Sequence, residues 1–240
     1  MPKYPNTLIV IAGPTAVGKT DVAIQFAKHF QTEIISGDSR QFYSELTIGT
    51  AKPDLQKLNE VKHHLIGNLS IQEYYNVSRF EIDVLQILTR LFQKHQVAFL
   101  VGGSGLYIDA VCNGIDDFPD PDPELRRFLK GIYQDEGIVK LQEMLKSSDP
   151  EYYAIMDVNN PNRLLRALEV CNTTGKTFTE QRLNSKKERD FNIIKIWLNL
   201  PRPELFNRIE TRVDQMIAMG LIQEVESLLA FRHLNALNTV

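Results

Sequence analysis

Residues 8–20, Leu-Ile-Val-Ile-Ala-Gly-Pro-Thr-Ala-Val-Gly-Lys-Thr, decide the fold class of this chain. The apolar run Leu8 to Ala12 predicts a buried strand, and the segment Lys19 to His29 repeats apolar side chains with a helical period. Between them lies G-x-x-x-x-G-K-[ST], the P-loop pattern, in the strand-turn-helix context that it requires. Such a loop binds two linked phosphates with its backbone N–H groups and the N-terminus of the following helix.

The predicted phosphate-binding residues are Gly13, Pro14, Thr15, Ala16, Val17, Gly18, Lys19 and Thr20. Lys19 supplies a positive charge for the phosphate oxygens, and the Thr20 hydroxyl is the expected ligand of Mg²⁺. The loop predicts a bound di- or triphosphate, and it leaves open which chemistry follows.

The segments after the P-loop continue the alternation of strand and helix. Glu33 to Ser36 and Val97 to Val101 are predicted strands, Ser78 with Glu81 forms a capping box that opens a helix to about Lys94, and a further helix follows from about Leu106 to Cys112. This order predicts an α/β fold with a parallel sheet flanked by helices.

The pattern changes after residue 112. Pro119, Pro121 and Pro123 interrupt regular structure, and only helical signals follow from Glu124 to about Lys187. Strand composition returns at Asn192 to Leu200, before a helix that starts near Pro203 and ends at Gly220. We therefore predict a P-loop catalytic core formed by residues 1–112 and 191–240, with a helical insertion at 113–190.

Composition excludes several classes of protein. The 240 residues include 27 Lys and Arg against 30 Asp and Glu, a net charge of −3, which excludes a generally basic, histone-like binder. The two cysteines, Cys112 and Cys171, form neither a disulfide framework nor a zinc-binding pattern, and they predict a reducing cytoplasm. No apolar run is long enough for a membrane span, so we expect no membrane partner.

Charge is uneven along the insertion. Residues 161–189 carry seven basic side chains against three acidic ones, so a basic face is expected within a slightly acidic protein. A solvated helix face is the alternative. Arg208 and Arg212 lie four residues apart, on one face of the predicted last helix, where they suit either a phosphate clamp or an exposed charged surface.

Two candidate side chains follow the second and third strands. Asp38 lies where ligands bind in open α/β sheets, and it suits a general base, a metal contact through water, or a simple turn. Ser104, within Gly102-Gly103-Ser104-Gly105, suits a ligand contact or a helix cap equally well. The third strand ends without the carboxylate of a Walker-B site. The histidines carry no metal or catalytic pattern, since His63 and His64 point to opposite faces of a strand.

Six segments, taken in order, resemble the tRNA dimethylallyltransferase family. They read GPTAVGKT (13–20), SGDSRQFY (36–43), IGTAKP (48–53), VGGSGLY (101–107), NPNRLLRALEV (160–170) and RIETRVDQM (208–216). The resemblance implies transfer of a dimethylallyl group from its diphosphate to the exocyclic amine of the adenosine next to the anticodon, on its 3′ side. It implies dimethylallyl diphosphate and the tRNA anticodon stem-loop as partners, Mg²⁺ as cofactor, and action as a monomer in the cytoplasm.

The resemblance also implies residue roles. The P-loop holds the donor diphosphate, Asp38 takes a proton from the adenine amine, and Lys19, Arg212 and, more weakly, Arg208 meet the developing negative charge. Ser104 stands where the family has a Thr that touches the target nucleotide. The implied tRNA contacts are Asp38, Ser39, Arg40, Gln41, Ser104, Arg126, Asn162, Arg163, Leu164, Leu165 and Arg166.

The chain departs from the family pattern at three places. Val17 replaces a common Ser, Arg40 replaces an apolar or small residue, and family members continue into further helices beyond the position of Val240. Two other functions fit the P-loop: a small-molecule kinase that binds ATP, and a nucleotide-binding switch. The switch is disfavoured because the chain has no N-K-x-D base-recognition motif.

Overall fold

The computed structural model of the protein describes residues 3–116, 118–182 and 186–237. The chain divides into two compact units, one made of Met1–Gly114 with Lys187–Val240 and one made of Ile115–Lys186. From the sequence we predict domain boundaries after residues 112 and 190. No helix among the described residues combines the length and apolar character needed to cross a bilayer.

The first unit is built on a parallel sheet with the strand order β3-β2-β4-β1-β5. Its strands are β1 (Thr7–Ala12), β2 (Ile34–Ser36), β3 (His63–His64), β4 (Val97–Gly102) and β5 (Asn192–Trp197). β1 and β4 are central, and their apolar runs are buried because helices cover both faces of a parallel sheet. The predicted α/β fold is therefore confirmed.

The helices alternate with the strands as expected for this fold. In chain order they are α1 (Lys19–His29), α2 (Leu55–Glu60), α3 (Val77–Leu91), α4 (Gly105–Asn113), α5 (Pro123–Ser148), α6 (Pro150–Ile155), α7 (Pro161–Thr174), α8 (Phe178–Gln181), α9 (Arg202–Ala218) and α10 (Leu221–Leu228), followed by a short 3₁₀ turn at Leu229–Phe231. One apolar cluster packs α3 and α4 against the sheet, and a second packs α1 against its other face.

The start of α3 differs from the predicted capping box. Asn76 is the N-cap, and its side-chain oxygen accepts a hydrogen bond from the Arg79 N–H at 2.9 Å. Glu81 is instead buried and accepts a hydrogen bond from Arg189 at 2.6 Å. The predicted Ser78–Glu81 box is wrong because Glu81 pairs with a residue 108 positions along the chain, which local sequence does not reveal.

The second unit contains only helices within its described residues. Asp122 caps α5 by accepting from the Glu124 N–H at 2.8 Å, and α5 is broken at Gly137, where φ is 78°. Leu129, Leu141 and Leu145 of α5 are fully buried against the apolar face of α7. The helical insertion therefore has its own core.

Candidate active site

Strands β1, β2 and β4 end together at one edge of the sheet. Ala12 pairs with Gly102, and Ser36 pairs with Val101, so the turns after all three strands lie side by side. Ligands bind at this carboxyl edge in open α/β sheets. The strand register thus assembles the P-loop, the turn holding Asp38 and the turn holding Ser104.

The P-loop spans residues 13–18 between β1 and α1. Gly13 has φ of 154°, and a Cβ atom there would lie 2.4 Å from the Leu198 carbonyl oxygen, so both backbone geometry and space require glycine. Lys19 and Thr20 form the first turn of α1, whose N-terminal N–H groups favour an anion. The loop has the strand-turn-helix placement predicted from the sequence.

The Lys19 side chain lies across this loop. Its ammonium group donates hydrogen bonds to the carbonyl oxygens of Gly13 at 3.0 Å and Pro14 at 2.9 Å. Burial lowers the pKa of Lys19, the negative charge of Asp38 raises it, and the positive charge of Arg212 lowers it. The three charged side chains therefore interact within one site.

Asp38 lies in a turn that begins at the end of β2. Gly37 donates a hydrogen bond to the Val101 carbonyl at 2.7 Å, and an Asp38 carboxylate oxygen accepts one from the Arg40 N–H at 3.0 Å. The turn role considered from the sequence is thus present. It does not remove the carboxylate from the site, because Asp38 is half-buried and its charge acts on both Lys19 and Arg212.

Ser104 ties the third turn to the second. It occupies the N-cap position of α4, yet its hydroxyl makes no capping hydrogen bond. The Ser104 Oγ accepts from the Ser39 N–H at 2.9 Å and donates to the Ser39 hydroxyl at 3.1 Å. A Cβ at Gly102 would lie 2.2 Å from the Gly37 oxygen, so this close approach also requires glycine.

Arg208 and Arg212 come from α9. They line an open cavity with Glu204, Asn207, Thr211 and Gln215, which share their helix face. Arg212 is half-buried; burial lowers its pKa and the Asp38 charge raises it. Arg208 is about half exposed, pairs with Glu204 at 2.8 Å, and has Nη1 3.9 Å from the Cβ position of Gly18. Arg208 therefore lies beside the loop, and the charge of Arg212 interacts with those of Lys19 and Asp38.

Gln41, a predicted tRNA contact, is largely engaged within the protein. Its side-chain oxygen accepts from the Ser36 hydroxyl at 3.1 Å, and its amide nitrogen donates to the carbonyl oxygens of Thr50 and Ala51, each at 3.3 Å. This amide joins the Asp38 turn to the following loop. Ser39 is half-buried and Arg40 is exposed, so these two are better placed to reach a ligand.

In the second unit, burial excludes two of the residues that the sequence predicts to contact tRNA. The side chains of Leu164 and Leu165 are 0% and 2% exposed in the helical core, so the expectation that they touch tRNA needs correction. Asn162 and Arg163 are exposed at the start of α7. The leucines hold α7 in place, while its polar side chains remain on the surface.

Arg126 and Arg166 share one buried carboxylate. Glu169 is 1% exposed and lies 3.3 Å from Arg126 and 3.5 Å from Arg166, whose other guanidinium nitrogen donates to the Pro119 carbonyl at 2.8 Å. Each arginine side chain remains about one third exposed, at 30% and 31%. Two positive charges around one negative charge leave a net positive surface.

Arg189 does not belong to the predicted basic face. Its side chain is 9% exposed, and it donates hydrogen bonds to Glu81 and to the carbonyl oxygens of Ala110 and Val111. Within the first unit it satisfies carbonyl groups at the carboxyl end of α4 and joins the segment before β5 to α3 and α4. The expectation that residues 161–189 form one basic face is therefore wrong at Arg189.

The sequence model of IPP transferases matches residues 41–240. The chain is also 50% identical over 234 residues to tRNA dimethylallyltransferase 1 of Bacteroides thetaiotaomicron, covering 98% of this chain and 76% of that protein. It is 52% identical over 235 residues to the tRNA dimethylallyltransferase of Christiangramia forsetii, covering 98% and 78%. The chain belongs to the IPP transferase family. The resemblance found in its motifs is thereby confirmed.

Two solved structures support this membership. The full-length tRNA isopentenylpyrophosphate transferase of Bacillus halodurans is 35% identical with a TM-score of 0.62, covering 96% of this chain and 72% of that one. A eukaryotic dimethylallyltransferase acting on tRNA is 29% identical with a TM-score of 0.77, covering 96% and 57%. The P-loop lies before the residues matched by the family model, so its assignment depends on the geometry described above.

Proposed function

We propose that this protein transfers a dimethylallyl group from dimethylallyl diphosphate to the exocyclic amine of the adenosine on the 3′ side of the anticodon in tRNA. The observation that carries the proposal is the interaction of Lys19, Asp38 and Arg212 at the carboxyl edge of the sheet, in a member of the IPP transferase family. One site thus presents two cations for a departing diphosphate beside one carboxylate for an incoming amine.

The P-loop residues Gly13 to Thr20 bind the donor through its diphosphate. In the reaction the bond between the allylic carbon and oxygen breaks, and negative charge builds on the diphosphate. Lys19 and Arg212 stabilise that charge, because preorganised positive groups act most strongly where charge develops. Arg208 has a smaller part, since Glu204 already neutralises much of its charge.

Asp38 is the proposed general base. The adenine amine forms a new bond to the allylic carbon and loses a proton to the Asp38 carboxylate, while diphosphate leaves with the electrons of the broken bond. A positioned base of this kind contributes about 10² to 10⁴ in rate. The hydrogen bond from the Arg40 N–H fixes the orientation of the carboxylate during this transfer.

Mg²⁺ fits this site only with ligands from the substrate. The described residues contain no cluster of three or more His, Cys, Asp or Glu side chains able to hold a metal. Thr20, half-buried in the first turn of α1, would supply one oxygen, and Mg²⁺ in phosphate sites generally takes its other ligands from phosphates and water. When bound it neutralises diphosphate charge.

We assign tRNA contacts to the exposed or partly exposed polar members of the predicted set. They are Ser39, Arg40 and Ser104 in the first unit, and Arg126, Asn162, Arg163 and Arg166 in the second. The target adenosine has to leave the stacked anticodon loop before its amine can reach Asp38. We place the reaction in the reducing cytoplasm and expect a monomer.

The test uses this chain with unmodified tRNA and a donor labelled in its allyl group. We expect Mg²⁺-dependent label on the adenosine next to the anticodon, and release of diphosphate. Thermal unfolding separates this function from a kinase: dimethylallyl diphosphate with Mg²⁺ should raise the melting temperature. Protection by ATP alone, with no label on tRNA, would contradict the proposal and favour a small-molecule kinase.

A further inference from the structure

Glu224 of α10 holds three consecutive backbone N–H groups. One carboxylate oxygen accepts hydrogen bonds from Thr47 at 3.0 Å and Ile48 at 2.7 Å, and the other accepts one from Gly49 at 2.9 Å. Hydrogen bonds from N–H groups to a carboxylate are among the strong ones in proteins. The loop 47–53, which contains the family segment IGTAKP, is therefore hydrogen-bonded to α10 through the Glu224 side chain.

Two side chains of that loop, those of Thr50 and Lys52, make hydrogen bonds within the protein. Thr50 is 8% exposed, and its hydroxyl donates to the Leu46 carbonyl at 2.8 Å. The Lys52 ammonium group donates to the Tyr43 carbonyl. These contacts stiffen the loop itself, so this part of the family segment acts through backbone shape.

The loop is joined to the proposed base through Gln41. The Gln41 amide donates to the carbonyl oxygens of Thr50 and Ala51, and its own backbone N–H donates to the Asp38 carbonyl at 3.3 Å. A displacement of the loop is therefore passed to the Asp38 turn through direct hydrogen bonds.

Glu224 is joined on its other side to the helix that carries Arg212. α10 follows α9 after the turn at Met219 and Gly220, and the Glu224 N–H donates to the Gly220 carbonyl at 3.0 Å. Contacts from Glu224 thus fix α9 relative to the Asp38 turn. Arg212 and Asp38, whose charges interact, are placed by the two ends of this connection.

We propose that Glu224 is a positioning residue for alkyl transfer, holding the Asp38 turn and the Arg212 helix at their working separation through loop 47–49. The inference rests on the proposed function. It differs from a purely stabilising role because it requires a fall in turnover without a matching loss of donor binding. The hydrogen bonds that the Glu224 carboxylate accepts among the described residues come from loop 47–49 and not from the P-loop.

The experiment compares Glu224→Ala, Glu224→Gln and the control Glu226→Gln, which removes the same charge from an exposed position on the same helix. Amide hydrogen exchange reports protection at residues 47–49, and kcat, KM for tRNA and the Kd of dimethylallyl diphosphate are measured for each variant. A misplacement of about 1 Å lowers rates by about 10²-fold, so we expect a loss of that order in kcat for Glu224→Ala.

We further expect faster exchange at 47–49 and a donor Kd within about threefold of the parent. The P-loop that binds the ground-state diphosphate is intact, and Arg212 acts mainly on the charge that develops in the transition state. Glu224→Gln should recover part of the turnover because its side-chain oxygen still accepts N–H bonds, and it decides the matter if the alanine variant does not fold. Unchanged kcat in folded Glu224 variants, or equal losses of kcat and donor affinity, would overturn the inference. Absence of alkylation by the unsubstituted chain would instead refute the proposed function.

Discussion

The sheet edge of the first unit and the arginine cluster of the second both present positive charge, but they are built differently. At the sheet edge, backbone turns shaped by Gly13 and Gly102 bring Lys19 and Asp38 together. In the second unit, side chains on α5 and α7 surround the buried Glu169 at 3.3 to 3.5 Å. A backbone-built site fixes reacting atoms closely, whereas an exposed cluster of long side chains suits adaptable phosphate contacts.

This difference predicts that chemistry resides at the sheet edge alone. Asp38→Asn should lower alkylation by at least about 10²-fold while donor binding is retained, because the amide keeps the shape of the carboxylate but does not take a proton. Single-turnover kinetics and donor titration check this, with Asp190→Asn, on an exposed residue, as control. Normal turnover in Asp38→Asn would show that Asp38 is not the general base. It would also contradict the assignment of chemistry to the sheet edge alone.

The next largest effect concerns Lys19. Lys19→Met should weaken donor binding by at least about 10-fold, since hydrogen bonds from charged groups to phosphate are strong. Burial lowers the pKa of Lys19 from 10.5, so below that lowered pKa the charged ammonium group destabilises the folded state. Lys19→Met removes this charge and should therefore stabilise the protein without ligand at neutral pH.

That gain in stability has a defined pH dependence. It should be complete at neutral pH and shrink as the pH rises from the lowered folded pKa towards 10.5, because the folded protein then releases the proton first. Thermal melts with and without donor measure both effects. Lys28→Met, on an exposed side chain of the same helix, should leave donor binding unchanged, and a destabilised Lys19→Met would contradict the argument.

Substitution of a glycine tests the close approach between the backbone turns at the sheet edge. Gly102→Ala places a Cβ 2.2 Å from the Gly37 oxygen, so the turns must separate, with an expected destabilisation of about 1 to 3 kcal/mol and reduced turnover. Gly131→Ala, in α5, is the matched control. A Cβ at Gly131 meets no other atom within 4 Å, so this substitution should stabilise the protein by about 0.5 to 1 kcal/mol. Denaturant unfolding compares the two, and equal stabilities would argue against close packing of the turns.

The smallest effect is expected at the exposed start of α7. Arg163→Ala should weaken tRNA binding a few-fold and reduce the slope of log affinity against log salt by about 1, because one phosphate contact is lost. Donor binding and stability should be unaffected. Binding titrations at several salt concentrations check this, and an unchanged salt slope would exclude Arg163 from the interface.

Much of the fold could be predicted because its signals are local. The helix predicted at Lys19 to His29 has those bounds in the structure, since apolar periodicity and the P-loop both define it. The strand predicted at Asn192 to Leu200 ends at Trp197, where pairing with β1 stops. The prediction of a Ser78–Glu81 capping box was wrong because the signal is not local: Glu81 pairs with Arg189, which is distant in the sequence.

The candidate site was predicted unevenly. Asp38, Ser104 and Arg212 were predicted as site residues because each follows a strand or fits a family segment. The structure joins the Asp38 and Ser104 turns at one edge, where the charge of Arg212 interacts with Asp38. Gln41 and Leu164 were assigned to tRNA from the same segments, yet their side chains are used within the protein. Glu224 carried no motif, since its partners are backbone groups about 175 residues away.

The sequence by itself determined the parallel sheet, the glycine-rich turn between β1 and α1, the helical character of residues 124–181 and the family, because periodicity, glycine and charge spacing act over short stretches of chain. Only the tertiary structure decided which charged side chains remain accessible to a ligand and which form hydrogen bonds and ion pairs within the protein. Glu81, Glu169 and Glu224 look alike in the sequence, but each meets different partners, because hydrogen bonds and burial depend on groups that folding brings together from distant positions.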